Sequence, residues 1–209
     1  MKKARVIRNA GLAIIVTLIL TACGRFGPQD EITVQRINLV DRNGEVKLLI
    51  AAELPGPVVR GERMERDIVP AGIIWHDSGG DESGGIAVSD VSGWKGASRG
   101  GKVRMITFDF THQLTDAVRL DTFESNDGSA WSGGLTVFDR RPYQAGPLES
   151  SQGKERLFLG TQNGDAGLVI RDAEERERIR IGVGQDGIAV MEMLDEAGKV
   201  VHRVPTPEQ

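Results

Sequence analysis

The segment RINLVDRNGEVKLLI, residues 36–50, consists of two short apolar runs joined by an Asp-x-x-Gly turn. The segment VMEMLDEAGKVVHRV, residues 190–204, places its aspartate and its glycine at the same positions. An aspartate that opens a turn accepts hydrogen bonds from backbone amides two residues further on, and a glycine at the fourth position takes a positive φ without steric cost. Two extended runs joined in this way predict a β-hairpin.

The same pattern recurs along most of the chain. Six apolar runs each end in an aspartate: Asp41, Asp77, Asp109, Asp139, Asp172 and Asp195. Successive aspartates lie 23 to 36 residues apart, which is the length of one propeller blade or of two linked hairpins. The copy at Asp172 is imperfect, because Ala-Glu-Glu follows it and no glycine closes the turn.

These features predict an all-β domain of antiparallel hairpin repeats, with about ten to fourteen strands. A small propeller-like domain or a closed barrel would remove exposed strand edges, and a β-sandwich is the alternative. The spacing does not separate these architectures. Asn163-Gly164 and Asp186-Gly187 predict further tight turns, and only residues 188–197 have the propensity of a helix.

The N-terminus has the layout of a secretory signal, with four basic residues among the first eight and a mostly apolar run over residues 10–20. The segment ends in Leu-Thr-Ala-Cys-Gly, and its Cys23 is the only cysteine of the chain. It resembles the lipobox of bacterial lipoproteins, which implies cleavage before Cys23 and lipidation of its sulfur. Gly24, in place of aspartate, implies sorting to the outer membrane.

We therefore expect four segments: a signal peptide at residues 1–22, a lipidated cysteine with a short tether at residues 23–30, the all-β domain at residues 31–204 and a frayed tail at residues 205–209. Two or more acyl chains hold a protein stably on a bilayer. The membrane is thus the first expected partner, reached through the lipid on Cys23.

The charge of the chain argues against nucleic acid as a partner. The net charge is −4 at pH 7, and removal of residues 1–22, with four basic and no acidic residues, leaves −8. An acidic domain has no electrostatic attraction for a phosphate backbone.

One motif nevertheless has the spacing of a dinucleotide-binding turn: Gly-Val-Gly-Gln-Asp-Gly at residues 182–187. Such a turn requires a helix after the glycines. Here the residues that follow, 190–204, match the hairpin at residues 36–50 in register. We expect turn glycines between two strands, and neither a nucleotide nor another cofactor.

Three segments carry a wider resemblance: RINLVD at residues 36–41, AGIIWHD at 71–77 followed by ESGG at 82–85, and GLTVFDR at 134–140. They are similar to a family of uncharacterised bacterial proteins, over most of the chain after Asp30. The family has no assigned activity, so the resemblance implies no catalytic or binding residues.

Candidate catalytic and metal-binding groups form no recognisable constellation. Ser78 lies in a stretch similar to the nucleophile segment of trypsin-like proteases, but its neighbour His76 is not placed as a separately oriented base, so Ser78 is expected to be a turn residue. The histidines are widely spaced, which disfavours zinc. Acidic groups at residues 77–82 and 121–127 are expected to be solvated turns, with calcium as the alternative.

The tryptophans provide the candidate binding surface. Trp75 lies in an apolar run and is expected in the core. Trp94 and Trp131 lie among small, flexible residues, where an exposed ring can stack on a sugar or anchor a protein. The alternative is that each of these two rings folds back over an end of the sheet.

Two functions fit these observations. The first is a non-catalytic outer-membrane lipoprotein, facing the periplasm, that binds or helps to organise an envelope protein or glycan. The alternative is a periplasmic hydrolase of peptidoglycan or another glycan that uses carboxylates at turn ends. The available carboxylates are Asp77, Glu82, Asp109 and Glu124. A deep pocket with convergent acids would favour the hydrolase.

Overall fold

The structure is a computed structural model that describes residues 31–66, 68–91, 100–110, 113, 115–140 and 153–205. The predicted signal peptide, Cys23, the predicted tether, Trp94 and residues 206–209 of the predicted tail lie outside the described residues, so the statements made for them stay predictions. The chain divides into two units, Met1–Val34 and Gln35–Gln209. The strands described below belong to the second unit.

All the regular secondary-structure elements assigned within the described residues are β-strands, which confirms the all-β prediction. In chain order the fourteen strands are β1 (Arg36–Val40), β2 (Val46–Ala51), β3 (Val58–Val59), β4 (Glu62–Arg63), β5 (Ala71–His76), β6 (Glu82–Val91), β7 (Gly101–Asp109), β8 (Asp116–Ser125), β9 (Trp131–Phe138), β10 (Glu155–Gln162), β11 (Asp165–Arg171), β12 (Glu177–Val183), β13 (Ala189–Leu194) and β14 (Val200–Val204). The stretch with helical propensity, residues 188–197, contains strand β13.

Twelve strands form one antiparallel sheet in the order β1-β2-β5-β6-β7-β8-β9-β10-β11-β12-β13-β14, and β3 pairs with β4 alone. The strands of the large sheet therefore follow one another in chain order, apart from the β3–β4 hairpin, which is inserted between β2 and β5. Neither the separate sheets of a propeller nor a pairing between β1 and β14 that would close a barrel is present among the described strands. We correct that part of the prediction to an open meander: the return strand of each hairpin also pairs with the next hairpin, so the repeats merge into one sheet.

The predicted turn chemistry is present at four of the six aspartates. The Asp41 carboxylate accepts hydrogen bonds from the second and fourth following amides at 2.8 and 3.0 Å, and Gly44 closes the turn with a φ of 86°. The same two bonds are made at Asp77, Asp172 and Asp195. At the imperfect copy, Glu175 takes the left-handed conformation with a φ of 65°, which costs a residue with a side chain about 1–2 kcal/mol.

The motif with dinucleotide-binding spacing is a hairpin turn, as predicted. It begins in β12, and the amide of Gly187 donates to the carbonyl of Gly184 at 2.9 Å before the chain enters β13. Asn163 and Gly164, with φ of 50° and 97°, form the predicted tight turn between β10 and β11.

The two faces of the sheet differ in burial. Along β8, Arg119, Asp121 and Phe123 are buried, while the alternating residues Leu120 and Thr122 are exposed. Because successive side chains of a strand point to opposite faces, these residues define an inner face, which bears Asp121, and an outer face, which bears Leu120.

The long connection between β2 and β5 covers part of the inner face, and we call residues 52–70 the covering segment. Its Leu54 packs with Leu49, Ala51 and Ile74 in a buried cluster. The tight turn between β3 and β4 is held by buried Asp81, whose carboxylate accepts the amides of the turn residues 60 and 61 at 2.7 and 2.8 Å. A second cluster, which includes Val103 and Phe123, lies on the inner face of β6–β8.

Strands β10–β14 lack such a core. After Phe138, Leu194 is the only buried hydrophobic residue in the part of the chain that the structure describes. Most other residues of these strands are half-buried or exposed, on both faces.

Candidate functional site

An unbroken row of aliphatic side chains crosses the outer face of the whole sheet. Its members are direct cross-strand partners, one from each of the twelve strands: Ile37, Ile50, Ile73, Ile86, Ile106, Leu120, Leu135, Leu159, Leu168, Ile181, Met191 and Val204. Directly opposed residues of antiparallel strands share one face. The register therefore aligns twelve separate aliphatic residues into one surface.

A second row runs beside the first, two residues along each strand from it: Leu39, Leu48, Trp75, Gly84, Phe108, Val118, Val137, Leu157, Ile170, Ile179, Met193 and His202. We call the two rows together the aliphatic face. Only a glycine and a histidine interrupt its apolar character.

Trp75 belongs to this second row and is half-buried, so the prediction of a core position was wrong. Its indole crosses Gly84, where an added Cβ would lie 2.6 Å from the indole Nε1. The ring centroid lies 5.7 Å from that of Phe108. The apolar run of β5 has an inner and an outer face, and strand alternation places Ile74 inside and Trp75 outside.

Much of the aliphatic face is exposed. Leu120 and Leu159 are each 51% exposed and Val204 is 49% exposed. A contiguous apolar patch of this kind on a folded chain is typical of a surface that contacts a partner. Sequence reasoning missed this surface, although its signal was present: an Ile, Leu, Met or Val occurs near the middle of every strand of the sheet.

The inner face of β10–β14 has the opposite chemistry. Arg180 lies opposite Glu192, at 3.5 Å, and also contacts Glu177 at 2.6 Å. Arg203 approaches Glu192 from β14 at 3.7 Å, and Arg171 contacts Glu177 at 3.2 Å. Partly exposed ion pairs contribute little stability each, but they keep this face hydrated. One face of these strands is thus charged and the other apolar.

The second candidate site is a cavity of about 160 Å³ between the covering segment and β6–β8. It is lined by Pro57, Val59, Arg66, Glu82, Asp109, Gln113, Thr115 and Asp116. We call it the carboxylate pocket, after its three acidic residues.

Two arginines hold two of the three acids in the carboxylate pocket. Arg66 donates to both Glu82 oxygens at 2.7 Å. The buried Arg119 donates to Asp116 at 3.2 Å, and its guanidinium also lies 5.0 Å from the centre of the Phe138 ring. Burial raises the pKa of Glu82 and of Asp116, and the adjacent arginine in each case opposes that rise.

Asp109 is the acid without an arginine ion pair among the described residues. It lies directly opposite Asp116 in the β7–β8 ladder, and its buried Oδ1 has no hydrogen-bond partner within the described residues. Burial, together with the charges of Asp116 and Glu82, raises the pKa of Asp109 to about 7. This carboxyl is therefore partly protonated at neutral pH.

The structure brings together only part of the predicted set of carboxylates. Glu82 and Asp109 line the carboxylate pocket, whereas Asp77 holds the β5–β6 turn and the exposed Glu124 is the cross-strand partner of Trp131. Sequence reasoning missed Asp116, because only the β7–β8 register places it opposite Asp109.

Of the predicted binding surface, only Trp131 lies within the described residues. It is 44% exposed and lines a shallow depression together with Arg104. Its amide donates to Asn163 Oδ1 at 2.8 Å, so the start of β9 is tied to the β10–β11 turn. The ring thus remains open to solvent, and Trp94 remains a prediction.

The other predicted site residues have local structural roles. Ser78 is exposed in the turn that Asp77 caps, as predicted. Burial lowers the pKa of the half-buried His76. Among the described residues, no three His, Cys, Asp or Glu side chains are grouped so as to hold a metal ion.

Comparison of the chain with models of protein families, with curated proteins and with solved structures gave no match. No helix among the described residues is long and apolar enough to cross a membrane.

Proposed function

We propose that this protein is a non-catalytic, lipid-anchored module of the bacterial outer membrane, which faces the periplasm and binds an envelope component through its aliphatic face. The lipobox-like segment around Cys23 supports the anchor. The observation that carries the binding role is the exposure of apolar side chains along one cross-strand row, where Leu120 and Leu159 are each half exposed.

Exposed apolar area is costly in water, at roughly 25 cal/mol per Å². A partner that covers this face recovers that free energy, whereas covering the charged inner face of β10–β14 would desolvate ion pairs. The outer face is therefore the favourable contact surface of these strands.

The alternative, a glycan hydrolase, is favoured by one observation, the convergence of Glu82, Asp109 and Asp116 in one pocket. Glycosidases use two carboxyl groups, one as an acid and one as a base or nucleophile. Here Glu82 and Asp116 are each engaged by an arginine, which leaves Asp109 as the one acid without such a partner in the described pocket. The binding module is the better supported function.

A photo-crosslinking residue at position 181, in the lipidated protein in intact cells, tests the binding role. Ile181 lies on the aliphatic face, so we expect covalent adducts with an envelope component, identified by mass spectrometry. The matched control is position 162, because Gln162 is the last residue of β10 and is exposed on the inner face of the sheet. Equal labelling at both positions, or none at position 181, would contradict the proposal.

A separate assay addresses the hydrolase. Purified protein incubated with peptidoglycan is expected to release no soluble fragments. If the unmodified protein releases soluble fragments and the Asp109→Asn variant does not, the hydrolase becomes the supported function in place of the binding module.

A further inference from the structure

We infer that the occupant of the aliphatic face between β8 and β14 is a second copy of this chain, packed face to face about a twofold axis. The inference rests on the proposed function, since it names the partner of the same surface. It is carried by the chemistry of the face, by its area and by the composition of the rest of the chain.

The outer face of β8–β13 is uncharged across three adjacent rows. The third row, on the other side of the first, consists of Thr122, Gly133, Thr161, Ala166, Val183 and Ala189. A twofold interface brings one patch against the same patch, so it must be complementary to itself. A face without charged side chains meets this condition, because the twofold axis then brings no two like charges together.

The area of the face is that of a dimer interface. Ile181, Val183 and Met193 are 41, 46 and 42% exposed, in addition to Leu120, Leu159 and Val204. Aliphatic residues have roughly 160–200 Å² of accessible surface when fully exposed, so the outer side chains from β8 to β14 expose on the order of 800 Å². A stable complex buries about 800 Å² on each partner, and a typical monomer exposes a smaller apolar patch.

The chain itself offers little with which to cover this face. After residue 22, only five large apolar or aromatic side chains lie outside the described residues: Phe26, Trp94, Leu114, Tyr143 and Leu148. They are scattered over four separate segments. A second copy, in contrast, supplies an aliphatic surface of matching size and shape.

The expected complex is a β-sandwich formed by two chains. Twisted sheets pack face to face about 10 Å apart, with their strands within about 30° of each other. Both lipid anchors can insert in the same bilayer when the twofold axis stands normal to it, and tethering to one surface raises the effective concentration of each copy for the other.

Single-cysteine crosslinking in intact membranes tests this inference on the full-length protein, whose own Cys23 is expected to be blocked by lipid. Leu159→Cys, Ile181→Cys and Met191→Cys are treated separately with a short bis-maleimide. We expect a covalent product of twice the chain mass from one or more of them. Gln162→Cys, on the inner face, and Ala197→Cys, in the β13–β14 turn, are the matched controls and are expected to remain single chains.

A charge placed on the face provides the second measurement. In the background of the cysteine variant that crosslinks best, a lysine at another face position, Ile181→Lys or Leu159→Lys, is expected to lower the yield of the double-mass product at least tenfold. Gln162→Lys should leave the yield unchanged. Labelling with a single maleimide under native conditions confirms that each variant is folded and that its thiol is reactive.

The outcomes separate the two proposals. A product of twice the chain mass that depends on the aliphatic face supports both. Photo-crosslinks from position 181 to a different protein or to glycan, with no product of twice the chain mass from the bis-maleimide, overturn the second copy and leave the binding module standing. If neither the bis-maleimide nor the photo-crosslinking residue at position 181 gives a product, although the thiols react with a single maleimide, both proposals are overturned.

Discussion

The inner face of the sheet is buried at β5–β8 and open at β10–β14, although the same hairpin pattern builds both regions. In the first region, Leu54 of the covering segment and the cluster around Phe123 exclude water from the inner face. In the second, ion pairs such as Arg180–Glu192 occupy the inner face and leave it hydrated. The difference shows that strand formation and core formation have separate causes in this chain.

The aspartate turns form in both regions, whether or not a core lies below. Asp41 and Asp195 make the same two hydrogen bonds, at opposite edges of the sheet. Burial instead depends on one long connection, residues 52–70, whose pairing with the sheet is fixed by Asp81 and by the Arg66–Glu82 pair. No comparable covering connection lies among the described residues of β10–β14.

The largest expected effect comes from removing the contact of the covering segment. Leu54→Ala empties a site where the side chain is 3% exposed, so the free energy of unfolding should fall by about 2–5 kcal/mol. The same change at half-exposed Leu159 should cost less than about 1 kcal/mol in the monomer. Urea unfolding of both variants measures the difference. Equal losses would show that the two regions do not differ in the way described.

The next effect concerns the pH dependence of the buried region. The folded-state pKa of Asp109 is about 7, against an ordinary value of 3.8, so the folded chain binds more protons than the unfolded chain between these pH values. Its contribution therefore lowers the free energy of unfolding as the pH rises from about 4 to 7, and the loss persists above 7. Asp109→Asn should remove that contribution and stabilise the protein at pH 8 by on the order of 2–4 kcal/mol.

Denaturation at pH 5 and pH 8 measures this effect. Asp90→Asn, which alters an exposed carboxylate on β6, is the control and should keep the pH dependence of the unmodified chain. A pH profile of Asp109→Asn that coincides with that of the unmodified chain would show that burial does not perturb this carboxyl.

The smallest expected effect is a gain in the free energy of unfolding from a change in a turn of β10–β14. Glu175→Gly relieves a left-handed residue and should raise the free energy of unfolding by about 0.5–1 kcal/mol, after loss of the exposed bond that Glu175 accepts from the Glu155 amide. Gly198→Ala, at the matching position of the β13–β14 turn, should lower it by about 1 kcal/mol. Thermal melts of both variants measure the two changes. A loss in Glu175→Gly would mean that the Glu155 bond outweighs the backbone strain.

The chemistry of the local turns could be predicted from the sequence, and so could the class of the fold. An Asp-x-x-Gly turn is closed by hydrogen bonds within five residues, as at Asp41, so no distant part of the chain has to be known. For the same reason Gly182 and Gly187 could be assigned to a hairpin and not to a cofactor turn. The open architecture of the sheet could not be predicted, because strand spacing is the same whether the two edge strands meet or remain apart.

The candidate surfaces depended on register. Period-two alternation reveals that a strand has two different faces, but not which of them will be covered. The aliphatic row exists only because eleven successive pairings place one Ile, Leu, Met or Val opposite the next, and the carboxylate pocket exists only because Asp109 meets Asp116 under the covering segment.

The sequence by itself thus determined where the chain extends and where it turns, since the interactions responsible span a few residues. Only the tertiary structure decided which face is apolar and exposed and which acids converge. Those properties arise from pairing between strands and from the path of residues 52–70, and no short segment contains either.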